Sequence, residues 1–327
     1  MRVSVVVPVA QRASRKRQTL ALFILTIQNT ALVLATKSSY RRSATPYVVS
    51  TVIASAELLK LTLSCVVLYV SEGRSATRSA LRELPSGAVR LMVPSVLYVV
   101  QNNLLFYGVR LLSPVTYMVC TQSKILTSAL CSGLILGTRI TRKQFLALLV
   151  LVCGMVMVQV AEQREQTVPT EGVLKGEVFR GVVAVFIAAF TSGFAGAYLE
   201  RIYKETGAGK RSLWFRNLQL AYFSLPVAMM GAFWHDGERL HANRGLFQGF
   251  DSIVLLVITL QAMGGLVVAA VLRYAGNVLK CFAVSISICI CTGVSMLFAS
   301  DEHGMSSSAL FGIALVIGST FLYSNVV

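Results

Sequence analysis

Lys124 lies in an apolar run from Val115 to Leu136 that carries no acidic residue. In a helix rising about 1.5 Å per residue its amine is anchored about 15 Å from either end, beyond easy snorkelling. A lysine at that depth costs about 3 kcal/mol or more unless it faces a wet cavity or an anion. Its chemistry is therefore that of an anion receptor, and a phosphate offers both charge and several acceptor oxygens. An ion pair with Glu57 of another helix is the competing structural account. Asn102, Asn103 and Tyr117 add amide donors, amide acceptors and a flat ring, which suit a uracil edge and face or a ribose. Buried amides also glue helices together, so both readings stand.

Other polar groups sit inside apolar segments. Glu57 and Lys60, three apart, share a helix face and can neutralise each other. Gln28-Asn29-Thr30 can either bond neighbouring helices or meet a substrate. Ser192 and Gly196, four apart, allow close helix packing, while Gly193 also lets a ligand approach the backbone. Arg216 sits near a helix start and can anchor an interface. Lys280 lies close enough to a helix end to snorkel.

The elements that position these groups follow from composition. Of the 327 residues 55% are hydrophobic, and the mean hydropathy is +0.69, which excludes an ordinary soluble protein. The net charge of +16 comes mostly from basic residues between apolar segments, with no nucleic-acid-binding motif, so topology explains it and no nucleic-acid partner is expected. Seven cysteines, all in apolar segments, form neither a disulfide framework nor a zinc pattern. The three histidines lie in or beside loops, so no metal, cofactor or catalytic residue is expected.

Windows of about 20 apolar residues predict ten membrane helices. They fall near Thr19–Ala35, Tyr47–Val70, Ala88–Leu111, Val115–Leu136, Arg142–Val160, Arg180–Tyr203, Leu213–Trp234, Ser252–Tyr274, Asn277–Ala299 and Ser307–Tyr323. Basic residues cluster in alternate loops (Arg74, Arg78, Arg82 and Arg90; Arg139, Arg142 and Lys143; Arg201, Lys204, Lys210, Arg211 and Arg216), and the acidic stretch from Glu162 to Glu177 lies opposite. The positive-inside bias puts both termini in the cytosol, against one contrary loop with Lys37, Arg41 and Arg42. The domains expected are a cytosolic tail 1–18, a first five-helix repeat 19–160, a lumenal connecting loop 161–179 and a second five-helix repeat 180–327. An odd number of helices per half makes the repeats inverted. The Gln101 and Lys124 helices, joined by a break at Leu112–Pro114, are echoed by the Gln261 and Lys280 helices joined at Ala275-Gly276.

The run Tyr98-Val-Val-Gln101-Asn102-Asn103-Leu, with Thr116-Tyr117 and Gln122-Ser-Lys124-Ile-Leu-Thr127, resembles the central signature of the nucleotide-sugar transporters. Those are Golgi and endoplasmic-reticulum antiporters of the drug/metabolite transporter superfamily. The resemblance extends from Gln28 to Tyr323 through Ala56-Glu57-Leu-Leu-Lys60, Ser192-Gly193-Phe-Ala-Gly196, Trp214-Phe-Arg216-Asn217-Leu-Gln219 and Arg273-Tyr274-Ala-Gly276-Asn277-Val-Leu-Lys280. It implies a site in which Tyr98, Asn102 and Tyr117 surround the nucleobase. Lys60 lines the cavity near sugar or phosphate, Ser192 and Gly193 adjoin the ligand, Asn217 meets the nucleotide, and Lys124 and Lys280 meet phosphate. Gly276 departs from the family, which usually has Asp there and with it a gating ion pair.

The resulting expectation is a Golgi, or endoplasmic-reticulum, multi-pass antiporter importing UDP-N-acetylglucosamine, UDP-galactose or both in exchange for UMP. Its partners are these ligands and the bilayer, with a homodimer or association with lumenal-pathway glycosyltransferases left open. The alternatives are a CMP-sialic acid transporter of the same fold, and a proton-coupled exporter using Glu57. A membrane enzyme would need clustered acids, which Asp236, Asp251 and Asp301 do not form.

Overall fold

The computed structural model describes residues 9–42, 47–84, 89–112, 114–163, 175–205, 212–241, 247, 249–298 and 307–324. Every regular element among them is a helix: α1 (Val9–Arg42), α2 (Val49–Glu83), α3 (Val89–Leu111), α4 (Pro114–Thr121), α5 (Ser123–Leu136), α6 (Arg142–Gln163), α7 (Lys175–Glu205), α8 (Leu213–His241), α9 (Ser252–Tyr274), α10 (Asn277–Phe298) and α11 (Ser307–Ser324). Among the described residues seven helices are long and apolar enough to cross a bilayer, and Ser307–Tyr323 is a shorter apolar helix. Large side chains such as Phe23, Val70, Leu134 and Phe321 are exposed on their outer faces. That is a surface for lipid, since a span of this kind must satisfy its own backbone. The chain is an all-helical, multi-pass membrane protein.

Several helices outrun their apolar cores. The first begins at Val9, so the basic cluster expected in a tail up to residue 18 continues the membrane helix; Ala, Arg, Lys and Gln are good helix formers. α2 passes Val70 and bends at Gly73, whose φ of 84° suits glycine alone. Beyond the bend Ala80 and Leu84 join Phe215 and Leu218 of α8 in one apolar cluster, while Arg74, Arg78 and Arg82 stay exposed. This is an amphipathic surface turn of helix that hydropathy alone reads as a loop. Likewise α6 and α7 cover both ends of the expected connecting loop 161–179, and residues 164–174 lie outside the described part.

The helix expected from Val115 to Leu136 is two helices. Around Gln122 the backbone tightens: its N–H donates to Val119 O at 3.2 Å, and Ile125 N–H donates to Gln122 O at 3.0 Å. The Thr121 and Ser123 hydroxyls donate to the Met118 and Cys120 carbonyls, each at 2.7 Å. Hydroxyls competing for carbonyls three residues back favour such an overwound turn. It falls directly before Lys124.

The main packing pairs are α6 with α11, α3 with α7, α2 with α8, α5 with α7, α1 with α9 and α1 with α10. Small residues set their spacing. A Cβ on Gly154 would stand 2.8 Å from the Gly312 carbonyl oxygen, and one on Gly312 would stand 2.8 Å from the Gly154 carbonyl oxygen, so α6 and α11 cross backbone to backbone. On α9, a Cβ at Gly264 would meet the Gln28 amide and one at Gly265 the Lys60 stem at 2.7 Å. The two glycines thus make room for polar side chains from α1 and α2.

Candidate functional site

Lys124 of α5 and Lys280 of α10 line one cavity of about 250 Å³. One comes from each half of the chain. Among the described residues neither amine makes a hydrogen bond or an ion pair. Lys280 feels the like charge of Lys124 and the opposite charge of Glu200. Lys124 is exposed and Lys280 half-buried; two like charges lining one cavity repel each other, and an anion between them turns that repulsion into attraction.

The overwound turn at Gln122 sets the position of Lys124, and the start of α10 sets that of Lys280. Gly276, with φ of 91°, makes the turn out of α9. Glu200 of α7 then accepts the Asn277 backbone N–H at 2.7 Å and pairs with Lys204 at 2.5 Å. A Cβ at Gly276 would stand 2.7 Å from that carboxylate. Position 276 bears no carboxylate, and the acid beside it is Glu200, whose ion-pair partner is Lys204.

The remaining candidates occupy other neighbourhoods. Lys60 pairs with Glu57 at 2.5 Å, and the Ser224 hydroxyl donates to the same carboxylate, so Glu57 is the partner of Lys60 and not of Lys124. Tyr98 packs in an apolar cluster with Leu91, Leu199 and Tyr203. Asn217, buried on α8, accepts the Tyr203 hydroxyl at 2.9 Å, and its own NH₂ has no partner among the described residues. Ser192 and Gly193 lie in the α5–α7 seam, where a Cβ on Gly193 would stand 2.7 Å from the Thr127 carbonyl carbon. The Thr127 hydroxyl donates across that seam to Ala189 O at 2.8 Å. The ring of Tyr117 borders Gly108 of α3. The Asn102 side chain lies outside the described part of the structure. Gln28 and Asn29 bond Leu260 O and Ser287 Oγ at 2.9 and 2.6 Å, which matches their helix-gluing account.

Gln159 and Ser285, which also line the cavity, escaped the sequence reading, and Gln122 figured only within a motif. Gln159 gave a usable signal, a lone amide in the apolar core of α6. Ser285 gave none.

Comparison with known proteins gives the family. The family model described as nucleotide-sugar transporter matches residues 13–324. The chain belongs to the nucleotide-sugar transporter family. This transporter is 40% identical to the UDP-N-acetylglucosamine transporter of Rattus norvegicus over 314 residues, 93% of this chain and 94% of the relative. It is 36% identical to the UDP-galactose translocator of Homo sapiens over 324 residues, 96% of this chain and 79% of the relative. A solved crystal structure shares the transporter's fold with a TM-score of 0.64 at 17% identity, covering 94% and 96% of the two chains. The family and these relatives are transporters, not enzymes. Among the described residues no three His, Cys, Asp or Glu side chains group as a metal site.

Proposed function

We propose that the protein is an antiporter that imports UDP-N-acetylglucosamine, UDP-galactose or both into the Golgi lumen in exchange for UMP, by alternating access around Lys124 and Lys280. The observation that carries this reading is the shared cavity lined by two lysines, one from each half of the chain, that make no hydrogen bond or ion pair among the described residues. Phosphate oxygens are common to nucleotide-sugar and nucleoside monophosphate, so one cationic centre serves both ligands in turn. Without an anion between them the two like charges repel across the cavity, and enclosing them as the carrier changes face raises that cost, which couples import to export. The named relatives supply the choice of UDP-sugars.

Tyr98, Asn102 and Tyr117 receive the nucleobase, Asn217 the nucleotide, and Lys60 the sugar or phosphate side, with Ser192 and Gly193 holding the seam behind Lys124. Asn217 is suited to this by its unpartnered buried NH₂. The proton-coupled exporter draws less support, because Glu57 is engaged by Lys60 and Ser224.

The architecture we propose is ten membrane spans in two inverted five-helix repeats with cytosolic termini, α4 and α5 together making the fourth span. Exchanging α1, α2, α3, α5 and α6 for α7, α8, α9, α10 and α11 maps the α3–α7 packing onto α9–α1 and α5–α7 onto α10–α1, while α2–α8 and α6–α11 map onto themselves. The reciprocal Gly154–Gly312 contact is what a two-fold axis through α6 and α11 produces.

Uptake of labelled UDP-sugar into proteoliposomes, with and without internal UMP, tests the exchange. Import that depends on internal UMP is expected; equal import into empty vesicles overturns the antiport reading.

A further inference from the structure

Beyond its two lysines the cavity has features that phosphate does not use. Gln122 donates through its amide to the Gln159 carbonyl oxygen at 2.7 Å, joining the α4–α5 turn to α6. Among the described residues the other end of each amide bonds nothing, nor does the Ser285 hydroxyl on the same wall. Met155, Val284 and Ile288 complete an apolar wall beside them. Among the described residues no aromatic ring and no acidic side chain lines the cavity.

These facts limit what enters. A volume of about 250 Å³ falls below the roughly 300–1,000 Å³ of pockets that hold a whole ligand, so the cavity takes the phosphates at its lysine end and one further part of a nucleotide-sugar beside them. A flat base favours an aromatic face, and Tyr117 offers one elsewhere, beside Gly108 of α3. The wall here instead offers neutral donors and acceptors next to aliphatic groups, the surface that suits a sugar ring. Its amide ends complement one sugar substituent in particular. An acetamido group presents an N–H, a carbonyl and a methyl, matching free amide acceptors, free amide donors and the Met155–Val284–Ile288 wall.

We infer that the cavity bounded by Gln122, Gln159, Met155 and Ser285 is the sugar subsite, and that its Gln122–Gln159 pair selects an acetamido sugar over the corresponding hydroxyl sugar. The inference rests on the UDP-sugar reading above and adds the group that discriminates among those sugars. A hydroxyl reaches fewer of the amide ends and leaves the apolar wall uncovered.

The test uses the full-length protein in UMP-loaded proteoliposomes. Uptake of labelled UMP is competed with UDP-N-acetylglucosamine and with UDP-glucose, which carries a hydroxyl in place of the acetamido group. The wild type is expected to show half-inhibition at about a ten-fold lower concentration of the acetamido sugar, the scale of one net hydrogen bond made or missed. Gln159→Leu is expected to bring the two concentrations together, and Gln159→Asn, which keeps the amide but draws it back, to narrow the gap. Both ratios are taken within one variant, so a general loss of active protein cancels. Equal inhibition of the wild type by both sugars overturns the subsite without touching the transport reading, and so does an unchanged preference in Gln159→Leu. Absence of inhibition by either sugar overturns both.

Discussion

Glu200 of α7 accepts the backbone N–H of Asn277, the first residue of α10, at 2.7 Å, and so caps the helix that carries Lys280. The carboxylate is buried, and its other oxygen holds Lys204. An acid at a helix N-terminus satisfies an orphan donor and opposes the positive end of the helix dipole. Removing it by Glu200→Ala is expected to cost about 1–2 kcal/mol of stability and to slow transport through a displaced Lys280. Glu200→Gln keeps an acceptor and is expected to lose less. Thermal unfolding in detergent, run beside uptake, measures both.

Gly276 and Glu200 form a second pair, coupled by space. A side chain at 276 meets the Glu200 carboxylate and must also adopt a φ of 91°. Gly276→Asp, which restores the usual family residue, is therefore expected to destabilise by about 1–3 kcal/mol. Combined with Glu200→Ala it is expected to recover, because the new aspartate caps α10 in place of the lost glutamate and Asp tolerates the left-handed region. A double variant no more stable than either single one contradicts this account of the cap.

How much of this was legible beforehand depends on which physics set each feature. Bilayer thickness imposes runs of about 20 apolar residues, so the helices around Lys124, Gln159 and Gly264 could be counted from hydropathy. The polar continuations of α1 to Val9 and of α2 to Glu83 carry no such signal, because helix propensity and packing against Phe215 form them. Lys124 stands out in the sequence because a deep amine is costly wherever it stands, whereas Lys280, near a helix end, stands out only through its family motif. Partnerships across the fold were not: Ser224 with Glu57, Gln28 with the space over Gly264, and Glu200 with Asn277 join positions that only tertiary packing brings together. The α4–α5 break arose from Thr121 and Ser123, residues that a hydropathy window averages away.

Lys60 and Glu57 offer a test of the ion pair itself. Both side chains are largely buried, at 10% and 20% exposure, and the Lys60 stem lies over Gly265. Glu57→Ala strands the amine, for which about 3–5 kcal/mol of destabilisation is expected. Adding Lys60→Met removes the stranded charge while keeping the stem that covers Gly265, so most of that loss is expected to return. Thermal unfolding of the two single variants and the double variant closes the cycle, and additive losses rule out the pair as a stabilising unit.

Lys124 and Lys280 make the most direct prediction, because the antiport reading requires both to face the same phosphates. In the empty protein each amine lacks an ion-pair partner among the described residues, so neutralising either relieves repulsion and leaves no acid stranded. Lys124→Gln and Lys280→Gln are thus expected to unfold no earlier than the parent protein. Their ligand affinity responds in the opposite direction. Losing one charged hydrogen bond to phosphate in a desolvated site costs about 2–4 kcal/mol, or roughly 30- to 1,000-fold in UMP affinity. Each single variant should also reduce UMP and UDP-sugar binding alike, because the phosphate is common to both, whereas Gln159→Leu shifts only the choice of sugar. Isothermal titration of detergent-purified protein with UMP reads the first effect directly. Retained UMP affinity in a folded Lys124→Gln/Lys280→Gln protein removes phosphate from the cavity and the antiport reading with it.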